Sequence, residues 1–74
     1  MPQNKETFVK ANVRFLTKTD SAIRIEHGDD QMTSWVPRST LSWACDKEIE
    51  NLKPGDDFEI TLTDWKALDI GLEY

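Results

Sequence analysis

"TSWVPRSTLSWACD", residues 33–46, decides how the chain is read, because it sets two of the three tryptophans on either side of a Val-Pro-Arg-Ser bend. Proline cannot donate to a sheet ladder, so Pro37 ends a strand or sits at an edge, and it holds Val36 extended. Past the bend, Leu41, Trp43 and Cys45 alternate with Ser42 and Ala44, a period of two that predicts a short strand over 41–45. In that register Trp43 joins Leu41 and Cys45 in the core. Trp35 shares parity with Thr33 and Pro37, against Met32, Ser34 and Val36. Either face can be the buried one, but an indole left in water forfeits much apolar burial, so Trp35 is also expected inside. If it lies outside, Trp35 and Arg38 form an anchor pair of the kind enriched at protein–protein hot spots.

Working outward, "FVKANVRFLTKT" (8–19) sets Val9, Ala11, Val13 and Phe15 on one face and Lys10, Asn12 and Arg14 on the other, a strand with one wet face. "SAIRIEHGDDQM" (21–32) opposes Ile23 and Ile25 to Arg24 and Glu26, then supplies a His-Gly-Asp-Asp hairpin turn into a third strand near 31–36. "DKEIEN" (46–51) is too charged and too short for more than a loop or one helical turn. In "LKPGDD" (52–57), Pro54 and Gly55 fit the centre of a type II turn. Phe58, Ile60 and Leu62 then point inward from a strand whose Asp57, Glu59 and Thr61 point outward. Thr63 can cap a helix "DWKALDI" (64–70), with Asp64 near its positive end and Gly71 as its stop. Trp65 and Leu68, three apart, give that helix a face to cover an open end of the sheet.

This pattern predicts one mainly β domain over 1–74, with residues 1–7 as a disordered tail. Five short strands make a strongly bent antiparallel sheet or barrel, SH3-like or OB-like, with the short C-terminal helix plugging one mouth. An open sheet with the helix packed across one face is the other arrangement.

Composition bounds the function. Seventy-four residues, 38% hydrophobic and 31% charged, describe a globular domain near the lower size limit for a core without staples. A buried cavity of drug size is hard to fit beside such a core. Cys45 is the one cysteine, so no internal disulfide or Cys-cluster zinc site forms, and a reducing cytoplasm is the expected setting. No apolar run approaches the length that spans a bilayer. Residues 1–40 hold six basic and five acidic side chains (+1); residues 41–74 hold three and nine (−6), which sum to the net −5.

Three boxes stand in order: "SWVPRS" (34–39), "LKPGD" (52–56) and "DWKALDIGL" (64–72). Together they resemble a family of small phage and prophage proteins with a Trp-aliphatic-Pro-basic-Ser box, a Leu-Lys-Pro-Gly-Asp turn and a final acidic-Trp-x-Ala…Gly-Leu helix. The likeness spans most of residues 9–72. Thr63 precedes the acidic-Trp pair where the resembling sequences often have Pro. The resemblance implies a fold and a mobile-element origin, and no activity.

The chemistry-bearing residues are read one cluster at a time. His27, Asp29 and Asp30 surround Gly28 in a composition that a hairpin turn requires, without a recognised metal-ligand spacing. Cys45 is a small core hydrophobe. No nucleophile–base pair stands out, so no catalytic residue, cofactor or metal is expected and the chain is read as no enzyme. Asp56, Asp57, Glu59 and Asp64, joined by Asp46, Glu48 and Glu50, form an acidic group suited to a basic protein surface, or to solubility alone. Lys10, Arg14 and Arg24 form a row suited to phosphates, the alternative nucleic-acid face. The expectation is a binding module acting through protein–protein contact, with Asp56, Asp57, Glu59, Asp64, Trp35 and Arg38 as partner-binding residues. Its concrete form is a cytoplasmic inhibitor or accessory factor for host nucleic-acid-handling machinery, including defence machinery.

Overall fold

The computed structural model describes residues 7–72. Four strands form one antiparallel sheet: β1 (Phe8–Lys18), β2 (Ala22–His27), β3 (Met32–Pro37) and β4 (Asp57–Thr63), in the order β3-β2-β1-β4. Two short helices, α1 (Trp43–Glu48) and α2 (Asp64–Asp69), complete it. The alternation read in the sequence sets the inner face. Val13, Phe15, Ile23, Ile25, Val36, Phe58, Ile60 and Leu62 are buried together with Cys45 and Ile49 from the α1 region, and with Ala67 and Leu72 from the α2 region.

The pairing along β1 is offset. Its first half, Phe8 to Arg14, faces β4, whereas β2 begins to pair only at Arg14 and runs to Lys18. Lys18 stands level with Ile23 and Val36, and Val9 level with Leu62 and Leu41. Lys18 and Val9 are nine residues apart, about 30 Å on a straight strand. Val36 and Leu41 are five apart and reach at most about 18 Å. The sheet is therefore folded over on itself across β1. It stays open: Leu41 makes a single bridge to Leu62 at the far edge of β4.

A bulge sits within β1. Phe15 faces Ile25 and Thr17 faces Arg24, so Leu16 is the extra residue and parity reverses after it. Lys18 is thereby turned to the inner side, opposite the buried Ile23.

The expected turns are present. Gly28 and Gln31 take positive φ in the β2–β3 loop, with the Gln31 N–H donating to the Gly28 carbonyl at 3.2 Å. Gly55, at φ 96°, follows Pro54, and the Asp56 N–H closes the turn on the Lys53 carbonyl at 2.9 Å. Gly71, at φ 75°, ends α2, and the Leu72 N–H reaches back to the Ala67 carbonyl at 2.8 Å.

Several expectations need correction. The fourth expected strand, over 41–45, is instead a single bridge at Leu41, a cap at Ser42 and the start of α1. Ser42 is its N-cap, its Oγ accepting the Cys45 N–H at 3.2 Å, and Cys45 and Ile49 turn inward four residues apart. "DKEIEN" forms the rest of α1 and a 3₁₀ turn over Ile49–Asn51. The sheet has four strands and is not a closed barrel. Trp43 lies outside, 75% exposed, because on a helix it falls half a turn from Cys45. Trp65 and Leu68 are exposed too, and Ala67 and Leu72 take the covering role assigned to them. Residues 1–6 of the expected tail lie outside the described residues; the Thr7 carbonyl accepts the Asp64 N–H at 2.8 Å.

Candidate interaction surface

The face of the sheet turned away from the core carries the polar side chains of all four strands. Register puts Arg14 between Glu26 on β2 and Asp57 on β4, Asn12 opposite Glu59, Lys10 opposite Thr61, and Arg24 opposite Trp35. Asp57 and Glu59 of the acidic group thus share one face with the basic row. Lys10, Arg14 and Arg24 interleave with Glu26, Asp57 and Glu59, so +3 and −3 sum to zero.

Arg14 is engaged on both sides, its Nε 3.2 Å from Asp57 Oδ1 and its Nη1 3.4 Å from Glu26 Oε1. With its side chain about half exposed, these pairs contribute little stability, within the usual 0–1 kcal/mol range of about 0.5. Their effect is to tie up the charge. A groove of ≈ 510 Å³ opens around this residue where β2 leaves β1, lined in part by Asn12, Glu26, Gln31 and Glu59.

Arg24 has no acidic partner among the described residues. Its guanidinium carbon lies 5.8 Å from the Trp35 ring centroid, and its Nη2 donates to Thr33 Oγ1 at 3.1 Å. Trp35 is 47% exposed, so the expectation of a buried ring is wrong. Its neighbour Val36 takes the inward position instead, and strict alternation sends Trp35 out.

Arg38, expected as the free companion of Trp35, is a clamp. Its Nε donates to Asp46 Oδ1 at 2.8 Å and its Nη2 to Glu50 Oε2 at 2.7 Å, while Lys18 Nζ donates to Glu50 Oε1 at 2.8 Å. Asp46 and then Glu50 push the Arg38 guanidinium further up. Lys18 and then Arg38 hold the Glu50 carboxyl below its ordinary value. The bend is fixed by backbone as well: the Arg38 N–H donates to the Ser21 carbonyl at 2.8 Å, and Thr40 Oγ1 donates to the Pro37 carbonyl at 2.7 Å. The Pro-Arg-Ser corner, the end of β1 and the α1 region are joined through four charged side chains.

The remaining sequence candidates lie apart from the outer face. Asp56 serves its turn, Oδ2 accepting the Lys53 N–H at 2.9 Å. Asp64 opens α2. His27 is buried, its Nε2 2.9 Å from Ser34 Oγ. Burial pushes the Cys45 thiol up, and its Sγ accepts the Thr61 N–H at 3.4 Å, which places it as packing and edge support for β4.

Sequence reasoning passed over Glu26, although it shares parity with Arg24. It also missed the exposure of Trp43, whose ring lies 4.6 Å from Lys47 Nζ, and of Trp65, 53% exposed. The spacing of Cys45 and Ile49 was the available signal for Trp43. No family model, curated protein or solved structure matches the chain.

Proposed function

We propose that the protein is a non-enzymatic module of a phage or other mobile element that acts by occupying a surface of another protein. One observation carries the reading: an exposed sheet face on which Trp35 lies against Arg24, which has no acidic partner among the described residues, beside charges of both signs. Exposed Trp and Arg are the residue types that dominate protein–protein hot spots. Alternating charge favours a protein over a phosphate backbone, which rewards a basic surface. In the concrete form of this reading the module works in the host cytoplasm. There Asp57 and Glu59 meet a basic groove of nucleic-acid-handling or defence machinery, which the module inhibits or assists. The same reading takes the folded-over sheet as an incomplete SH3-like barrel, with Leu41 where a fifth strand would close it.

The test is capture from nuclease-treated host lysate. A specific protein should be retained by the wild type and lost with Trp35→Ala combined with Glu59→Lys, while the unfolding transition of that variant stays in place. Capture that vanishes on nuclease treatment, together with saturable oligonucleotide binding abolished by Lys10→Glu, would replace this reading with the nucleic-acid one.

A further inference from the structure

The outer edge of β3 has little of the usual protection: Pro37 blunts its last position, and the five residues before it carry none. Natural sheets blunt such edges with charged side chains, bulges or covering segments. β3 reads Met-Thr-Ser-Trp-Val-Pro, carries no charge, and has β2 as its one strand neighbour among the described residues. Its two large side chains at the surface, Met32 and Trp35, are 56% and 47% exposed.

The direction of its backbone groups follows from the register. Arg38 donates its N–H to Ser21, so the Ser21–Arg38 pair is a hydrogen-bonded one. In an antiparallel ladder these pairs alternate with pairs whose groups point away. Val36, Ser34 and Met32 therefore turn their N–H and C=O toward β2, and Thr33, Trp35 and Pro37 turn theirs outward. Pro37 has no N–H to leave open there, and its carbonyl is taken by Thr40. Thr33 and Trp35 are left presenting two donors and two acceptors, with no backbone partner among the described residues.

We infer that this edge pairs antiparallel with the same edge of a second copy of the chain. Two-fold symmetry about Ser34 sets Thr33 of each copy opposite Trp35 of the other, and all four open groups of each edge are then bonded. The same register brings Met32 beside Val36 of the second copy, and sets the two indoles diagonally across the axis on the outer face, within reach of each other. The absence of charge on β3 favours self-pairing, since a charge at 33 or 35 would lie diagonally across the axis from its own copy. The result is one continuous sheet of two copies, with the Trp35–Arg24 surface at its centre. This goes beyond the proposed function and stands or falls separately from it, since it concerns the chain alone.

Sedimentation velocity on the purified protein, from low to high micromolar concentration, tests it. The mass should rise from that of one 8.6 kDa chain toward twice that value. Thr33→Pro removes an N–H that faces the open edge, so it should keep the unfolding midpoint and stay at the one-chain mass. Met32→Lys, at an exposed position, should weaken association at least tenfold. Ser34→Cys should cross-link across the axis under mild oxidation. A wild type that remains a single chain throughout, or a Thr33→Pro variant that associates as the wild type does, overturns the inference. So does an associated Ser34→Cys protein that fails to cross-link.

Discussion

The two short helices share a plan and are held by different means. Each follows a leucine, Leu41 or Leu62, and these two face each other across the isolated bridge. A hydroxyl residue then stands at the cap, an exposed tryptophan in the first turn, and one small buried residue, Cys45 or Ala67, on the inner side. At α1 the cap hydroxyl is bonded, and Arg38, Asp46, Glu50 and Lys18 tie the region to the bend and to β1. At α2 the cap hydroxyl of Thr63 is buried with no partner among the described residues, and the ion pair there, Lys66 with Asp69, stays within its own turn. What holds α2 is the burial of Ala67 and Leu72 and the bonds around Gly71. One local pattern can be locked by a polar clamp or by apolar closure.

The largest expected effect separates buried from exposed apolar groups at α1. Ile49→Ala, at a position with no exposed surface, should lower unfolding stability by about 2–5 kcal/mol. Trp43→Ala removes a larger side chain but mainly a surface contact with Lys47, and should lose about 1 kcal/mol or less. Urea titration of both variants makes the comparison; equal losses would place the indole in the core.

The caps should respond with opposite signs. Ser42→Ala deletes a bonded cap and should destabilise by about 1 kcal/mol. Thr63→Val removes a buried hydroxyl that bonds to nothing and should leave stability equal or higher. A loss at Thr63→Val would reveal a partner for that hydroxyl and erase the contrast.

The smallest effect is the acid response of the clamp. Glu50 has a folded pKa lowered by Lys18 and Arg38, so its stabilising share is complete above the unfolded glutamate value of about 4.3. That share is lost as pH falls through the lower folded value. Thermal melts from neutral to strongly acid pH should show a shallower acid decline in Glu50→Gln than in the wild type. Identical slopes would mean the clamp contributes nothing that titrates.

The misreading of residues 41–45 has a plain physical origin. Leu41 and Cys45 are four apart, a spacing that fits both the period of two and one turn of helix. Trp43 between them fits the strand if its indole is buried. Ile49, four beyond Cys45, fits the helix, but Lys47, Glu48 and Glu50 around it mask that signal. By contrast β1, β2 and β4 were legible because each alternates over six or more residues, and the Gly28, Gly55 and Gly71 turns because positive φ favours glycine. The site was legible in part. Trp35 and both charge rows were named, but the meeting of Asp57 and Glu59 with the basic row on one face depends on pairings between distant strands. The capture of Arg38 depends on Asp46 and Glu50, which reach it only once α1 is formed.

The offset pairing along β1 also sets an order in time. Lys18 meets Ile23 after a short loop, whereas Arg14 must find Asp57 and Phe8 must find Thr63 near the far end of the chain. Closing the longer loop costs about 2 kcal/mol more in chain entropy, a handicap that slows folding in proportion to such non-local contacts. During synthesis the β1–β2–β3 meander is complete long before β4 leaves the ribosome. Until β4 arrives, the residues of β1 before Arg14 have no strand to pair with.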